Sequence, residues 1–189
     1  MTEKRTRQQI VDAADRLFYQ RGFEHTSFSD IAEVVHLSRG NFYHHFKSKD
    51  AILAAVIETR TGGTRDLLTK WQTAHEQPRE RIRCYIDMLV TNRTQIKRYG
   101  CPVGMLCAEL ARSRHASRAE ANAVFGLFRS WLRTEFLRLG CANDADELAL
   151  HLIARSQGIA VMANTLGDPH FIRREVNQLH AWLDGVLRD

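Results

Sequence analysis

A stretch of thirteen residues, SRGNFYHHFKSKD, gathers side chains that could ligate a metal, transfer protons or grip an anion. It runs from Ser38 to Asp50 and contains two adjacent histidines, two lysines and three aromatic rings. Consecutive residues of a helix point about 100° apart, so His44 and His45 cannot hold one metal ion together. None of the nine histidines lies three or four positions from another, the spacing that places two ligands on one helix face. A metal site is therefore not expected.

The cysteines do not suggest catalysis either. Cys84, Cys101, Cys107 and Cys141 form no CxxC pair, and none lies at zinc-finger spacing from two histidines. A thiol enzyme needs a histidine and an acid around its nucleophile, and no known signature of that kind surrounds any of the four. P-loop and metalloprotease patterns are also missing. The sequence therefore predicts a protein that is not an enzyme and uses no cofactor.

Composition favours a soluble α-helical protein. The 189 residues are 44% hydrophobic and 26% charged, and only three prolines and eleven glycines interrupt them. The net charge of +5 permits a nucleic-acid partner, although basic side chains barely outnumber acidic ones in the first fifty residues. No run approaches the roughly 18 apolar residues of a membrane span, and the opening MTEKRTRQQI has no apolar signal region. We expect a cytoplasmic protein without a membrane partner.

Apolar periodicity predicts three helices within residues 1–50. The first carries one apolar stripe and ends near Gly22; the stripe consists of Ile10, Ala13, Ala14, Leu17 and Phe18. Ser27 is a natural N-cap for the second helix, and Asp30 follows three residues later, close to a capping box. Ser38 can cap the third helix, in which Phe42 and Phe46 face inward.

The outward face of the third helix carries side chains suited to DNA. Two short helices joined by a three-to-four-residue turn form a helix-turn-helix, whose second helix enters the major groove. Arginine can bind guanine O6 and N7 together, and asparagine reads adenine. Tyrosine, histidine, serine and lysine reach phosphate oxygens. Arg39, Asn41, Tyr43 and His44 are predicted to point outward, whereas His45 is predicted to pack against the protein.

Residues 5–53 resemble the N-terminal DNA-binding domain of the TetR/AcrR family of bacterial transcriptional repressors. The resemblance rests on RGF at the end of helix one, on TSFSDIAEVVHLSRGNFYHHF and on KSKDAIL at the entry to helix four. It implies phosphate contacts by Tyr43, His44 and Lys49, and base contacts by Arg39, Asn41 and Ser29. Further predicted DNA-binding residues are Thr26, Ser27, Ser38, Gly40 and Lys47.

Beyond residue 50 the pattern predicts helices throughout, about nine in the whole chain. We therefore expect an all-α fold with a three-helix DNA-binding domain at residues 1–50 and a helical effector-binding and dimerisation domain at residues 51–189. The Gly62-Gly63 pair is expected to kink or end helix four.

The last two helices predict a homodimer because they carry more apolar surface than one neighbouring helix would cover. The residues concerned are Leu152, Ile159, Met162, Ala163 and Leu166 on one helix and Phe171, Val176, Leu179, Trp182, Leu183 and Val186 on the other. Gly158 would let a neighbouring backbone approach closely. In the family this pair builds a four-helix bundle with its copy, so the operator on double-stranded DNA is expected to be nearly palindromic.

The resemblance also implies a small, often apolar effector that binds among helices four to eight and lowers DNA affinity. Candidate linings are Met88, Cys101, Met105, Phe125, Phe128 and Met162. An alternative is a repressor that senses electrophiles or oxidants through Cys101. If Pro102 begins a helix, Cys101 occupies its N-cap, where free amides and the helix dipole stabilise a thiolate. The other interpretation of Cys101 is ordinary core packing.

Overall fold

The computed structural model describes residues 3–186, and within them the chain is entirely helical and loop, so the all-α prediction is confirmed. Ten helices are described: α1 Glu3–Arg21, α2 Phe28–Val34, α3 Arg39–His45, α4 Lys49–Ala74, α5 Pro78–Thr91, α6 Arg93–Tyr99, α7 Pro102–Arg112, α8 Arg118–Arg138, α9 Ala145–Leu166 and α10 Phe171–Val186. Val186 is the last residue described, so the three that follow lie outside this account. The expectation that helix four could end at Gly62-Gly63 is wrong, because α4 continues through both glycines.

The helices form two compact units. The first comprises Met1–Gly63 with Met105–Ala123, and the second comprises Thr64–Gly104 with Val124–Asp189. The unit boundaries fall inside α4, α7 and α8, so each of these helices contributes residues to both units. The division into a DNA-binding domain at residues 1–50 and an effector domain at 51–189 stays a functional prediction.

The core of the first unit forms where the predicted apolar stripes meet. Ile10, Ala14 and Ile31 are fully buried, and the ring of Phe42 packs edge-on against Phe28 with centroids 4.5 Å apart. Such an aromatic pair adds about 0.5–1.5 kcal/mol beyond the area it buries. The first three helices are therefore fixed to one another by their apolar faces, which leaves their polar faces exposed.

The second unit has a larger apolar core that includes Ile86, Leu132, Leu152 and Leu183. One charged group lies inside this unit: Glu135 is fully buried on α8. Its carboxylate accepts hydrogen bonds from the guanidinium groups of Arg81 on α5, at 3.2 Å, and of Arg138. A buried carboxylate requires such compensation, because an unpaired charge in the interior is strongly destabilising. The pair therefore fixes α5 against α8.

Candidate DNA-binding surface

The start of α2 is closed by the predicted capping box. The Ser27 hydroxyl accepts from the Asp30 backbone N–H at 3.1 Å, and the Asp30 carboxylate accepts from the Ser27 backbone N–H at 2.7 Å. Hydrogen bonds from the Ser27 side chain and backbone hold the pKa of Asp30 below its usual value. A lowered pKa means that the cap persists near neutral pH and is lost only when acid protonates Asp30. Ser27 is thus fixed at the exposed end of α2.

The turn between α2 and α3 has the length of a helix-turn-helix. Four residues, 35–38, separate the two helices, within the predicted length. His36 adopts a left-handed backbone conformation with φ of 54°, uncommon for a residue other than glycine. The Leu37 backbone N–H donates to the Ala32 carbonyl and closes the turn at 3.2 Å. Ser38 then caps α3 through its hydroxyl, which accepts from the Asn41 backbone N–H at 3.4 Å.

Helix α3 presents two different faces. Phe42 is fully buried and Phe46, just past the helix, is 3% exposed, so both phenylalanines belong to the core as predicted. Asn41, Tyr43 and His44 are exposed on the opposite side. Gly40 is exposed as well, and a Cβ added there would meet no atom within 4 Å. The Arg39 backbone lies in α3, but its side chain lies outside the described part of the structure.

Two exposed residues of α3, Tyr43 and His44, each contact another side chain and still face solvent. The Tyr43 ring packs against Phe28 with centroids 4.8 Å apart, yet half of Tyr43 remains exposed. His44 places Nε2 3.3 Å from the Glu3 carboxylate, and both side chains are largely in solvent. His45 is half-buried, in line with the predicted separation of the two histidines. Ser29, on α2, is exposed.

Three further predicted DNA-binding residues, Thr26, Lys47 and Lys49, also have partners within the protein. Thr26 is fully buried, and its hydroxyl donates to the Gly22 carbonyl at 2.7 Å. Lys47 is exposed and donates to the carbonyl of Tyr43 at 2.7 Å. The Lys49 ammonium donates to the carbonyl of Phe23 at 3.0 Å and lies 4.2 Å from the centre of the Phe23 ring. Thr26 and Lys49 therefore stabilise the α1–α2 turn. Their predicted contacts with DNA would come in addition to this role.

Sequence reasoning missed a carboxylate that fastens the same turn. Glu109 of α7 accepts the backbone N–H of Phe23 at 3.0 Å and of Glu24 at 2.8 Å. Gly22 is required beside it, because its φ is 91° and an added Cβ would approach a Glu109 oxygen to 3.0 Å. The two partners lie more than eighty residues apart in sequence, so no local pattern reveals the contact.

The predicted effector-binding residues differ in their surroundings. Met88, Cys101 and Phe125 are half-buried against the core of the second unit, and Phe128 lies within that core. Met162 lines a groove of about 340 Å³ between α9 and α10, and Met105 belongs to the first unit. The groove is lined by His151, Ala154, Arg155, Gly158, Ile159, Met162, Phe171 and Glu175.

Cys101 directly precedes α7, as predicted from Pro102. It is half-buried, and its Sγ accepts the backbone N–H of Gly104 at 3.4 Å, the geometry of an N-cap. The tip of Gln157, on α9, approaches Gly104 closely enough that a Cβ there would meet its oxygen at 2.3 Å. The sulfur thus accepts an amide N–H at a helix start, while Cys101 packs against the apolar core of the second unit.

An all-helical chain with a helix-turn-helix that exposes Asn41, Tyr43 and His44 has the build of a DNA-binding transcriptional regulator. Residues 10–56 match the model of bacterial regulatory proteins of the tetR family, and residues 78–178 match that of the LmrA/YxaF-like transcriptional regulator C-terminal domain. The chain belongs to the TetR family of transcriptional regulators.

Relatives of known sequence and structure agree with this assignment. The chain is 32% identical over 187 residues to the uncharacterized HTH-type transcriptional regulator in the lacX 3' region of Lactococcus lactis, covering 97% of this chain and 95% of the relative. It is also 29% identical to the transcriptional repressor NemR of Escherichia coli over 111 residues, and this matched region covers 58% of this chain and 54% of NemR. A TetR regulator from Chloroflexus aurantiacus superposes with a TM-score of 0.84 at 25% identity over 96% of this chain and 95% of that one.

No helix within residues 3–186 is both long enough and apolar enough to cross a bilayer.

Proposed function

We propose that this regulator is a homodimeric repressor that binds a nearly palindromic operator and releases it when a small, apolar effector binds. The observation that carries the proposal is the two-sided α3, with Phe42 buried and Asn41, Tyr43 and His44 exposed on the other side. The exposed set combines an amide that can read adenine with groups that reach phosphates. Regulators of this family bind DNA as dimers and bind small ligands.

The contact between protomers is proposed to lie on α9 and α10. Six of the apolar residues that predicted the dimer are buried within the second unit and are therefore not available as a surface between protomers; they are Leu152, Ile159, Ala163, Val176, Leu179 and Leu183. One stripe of α9 is exposed, at spacings of three and four residues, and it keeps three of the predicted residues, Gly158, Met162 and Leu166. It consists of Leu150, Ala154, Gly158, Val161, Met162 and Leu166. Large exposed apolar residues in one row mark an interaction surface.

Helices α4, α7 and α8 are the proposed route by which an effector changes DNA affinity. Each contributes residues to both units. Met88 and Phe125, half-buried in the second unit, are proposed to contact an apolar effector there. Binding acts on DNA affinity only if it favours one arrangement of these shared helices over another.

Two substitutions on α3 test the proposed readout after selection of an operator from a random DNA pool. Tyr43→Phe keeps the ring on Phe28 and removes a phosphate ligand, so all sequences should be bound more weakly by about 1 kcal/mol. Asn41→Ala should remove about 1–3 kcal/mol of preference at one base pair per half-site. Fluorescence anisotropy on the operator and its single-base variants measures both. Unchanged base preference in Asn41→Ala would show that Asn41 does not read bases.

A second candidate function, sensing of electrophiles or oxidants through Cys101, is favoured by the Gly104 N–H aimed at its sulfur. We expect Cys101 to be alkylated faster than the other three thiols. Burial and nearby carboxylates raise the pKa of Cys84 and of Cys141, and Cys107 is buried. Mass spectrometry after brief iodoacetamide treatment, with Cys101→Ser as control, measures the rates. Equal, slow labelling of all four would eliminate this candidate.

A further inference from the structure

The connection between α7 and α8 carries a dense group of cations. Its sequence, RSRHASR at residues 112–118, contains three arginines and one histidine and no acid; we call it the basic loop. Arg112, Arg114 and Arg118 are exposed, and within residues 3–186 no carboxylate forms an ion pair with any of the three. Three like charges so close together repel one another, and an anion bound among them lowers that cost. The arrangement suits an anionic partner.

The basic loop is held in one conformation by hydrogen bonds. The His115 backbone N–H donates to the Leu110 carbonyl at 2.9 Å, and the Ser117 backbone N–H donates to His115 Nδ1 at 3.1 Å. Arg114 has φ of 52°, a conformation that an arginine adopts only when its surroundings impose it. The arginines therefore extend from a fixed backbone.

The loop is fastened to the unit that contains the helix-turn-helix. His115 places Nε2 3.5 Å from the Asp50 carboxylate in the first turn of α4. Its ring packs edge-on against Phe23, with centroids 5.2 Å apart. Glu109, one turn before the loop, binds the backbone of the same Phe23. The three arginines thus belong to the same compact unit as α3.

We infer that the basic loop is a second phosphate-binding surface, which contacts the DNA backbone beside the recognition helix. The inference rests on the proposed DNA-binding function of α3. Asp50, which contacts His115 of the basic loop, follows the predicted DNA-binding residue Lys47 by three positions. The backbones of Asp50 and Lys47 therefore lie at most about 11 Å apart. One DNA strand offers a phosphate for about every 3.4 Å of helix axis, so this span corresponds to about three phosphates. Arginine suits the task because its guanidinium donates two parallel hydrogen bonds to a phosphate.

The test replaces Arg112, Arg114 and Arg118 together by glutamine in the full-length protein. Affinity for a random-sequence duplex long enough for two half-sites should fall about tenfold near physiological salt. The slope of log affinity against log salt should become shallower by about 0.9 for each phosphate that the loop no longer neutralises. The selected operator should be bound more weakly by a similar factor, with its sequence preference unchanged. Fluorescence anisotropy across a salt series measures all three quantities.

Two control triples separate local contact from net charge. Arg65, Lys70 and Arg173 are exposed cations of the second unit, and their joint replacement by glutamine removes the same charge. The second control replaces Arg112, Arg114 and Arg118 together by lysine, which keeps their charge. Both controls should keep the salt slope of the wild type. Thermal unfolding and light scattering check that each variant folds and assembles like the wild type. Arg114→Gly is a second variant that preserves the backbone conformation of the loop, because glycine readily adopts the positive φ of residue 114.

The outcomes distinguish this inference from the function on which it rests. If the wild type binds no duplex DNA, the proposed function fails. If the wild type binds but the glutamine triple and the second-unit control share one salt slope, the basic loop makes no phosphate contact and only this inference fails. If the glutamine triple binds DNA like the wild type but no longer sediments with anionic phospholipid vesicles, the loop belongs to a membrane surface and the inference is also overturned.

Discussion

Glu109→Ala is expected to lower the free energy of unfolding by about 2–3 kcal/mol and to weaken DNA binding beyond that loss of folded protein. The carboxylate accepts two backbone N–H groups, from Phe23 and Glu24, and hydrogen bonds to a charged group contribute about 1.5–3 kcal/mol each. The donor of Glu24 is exposed and can bond to water instead, which reduces the cost. Chemical denaturation followed by circular dichroism measures the stability change.

The effect on DNA follows from what Glu109 fixes. The α1–α2 turn that it holds leads directly to Ser27 and α2, which set the position of α3. Without the carboxylate, the Phe23 backbone would keep only the hydrogen bonds that its carbonyl accepts, from the Lys49 ammonium and the Thr26 backbone N–H. The helix-turn-helix would sample more conformations, and DNA binding would have to select among them. We therefore expect lower affinity for all sequences with little change in base preference.

Glu109→Gln provides the graded variant. The two N–H groups donate to different oxygens of the Glu109 carboxylate, and glutamine replaces one of these oxygens by an NH₂ group that cannot accept. Its stability should fall between those of the wild type and Glu109→Ala. Glu120→Ala is a matched control, because Glu120 is an exposed glutamate of the same unit. Equal stability of all four proteins would show that the carboxylate does not fasten the turn.

The first fifty residues could be interpreted from sequence because their structure is locally determined. Ser27 and Asp30 close a capping box within one helical turn, and Phe42 and Phe46 are placed on one face by helical spacing. The left-handed backbone of His36 in the α2–α3 turn is harder to predict from sequence, because no glycine marks the position. The family resemblance then supplied the chemistry of the exposed face.

Contacts across long sequence separations could not be predicted in this way. The bond from Glu109 to Phe23 and the ion pair of His115 with Asp50 depend on how distant helices meet. Lys49 has the residue type of a phosphate ligand, and only the fold shows that it also binds the Phe23 carbonyl. Propensity likewise misjudged Gly62-Gly63, because helix continuation on both sides outweighs the cost of about 1 kcal/mol per glycine.

Helix α9 shows a further limit of periodicity. It is apolar on more than one side, so spacing alone does not tell which stripe meets the core. The structure buries Leu152, Ile159 and Ala163 and leaves Val161 and Leu166 exposed. The prediction of a dimer remains; of the residues named for it, Gly158, Met162 and Leu166 stay exposed, whereas the buried ones belong to the core.

Gly158→Gln is expected to weaken the dimer by about a hundredfold or more while leaving the folded protomer at least as stable. A Cβ at Gly158 meets nothing within 4 Å, so glutamine fits the isolated chain and removes the cost of a mid-helix glycine. In the proposed four-helix bundle the same side chain would lie under the partner's helix. Overpacking costs about 1–3 kcal/mol per site, and a two-fold axis applies it twice.

Gly126→Gln is the matched control for this prediction. Gly126 also lies within a helix, α8, is exposed and has open space around its Cβ position. Both variants should unfold at the same or higher temperature than the wild type, but only Gly158→Gln should sediment as a monomer at micromolar concentration. Loss of the dimer leaves each protomer one half-site, so operator affinity should fall steeply while weak binding to random DNA persists. Dimers of equal strength in the two variants would place the interface away from the exposed stripe of α9.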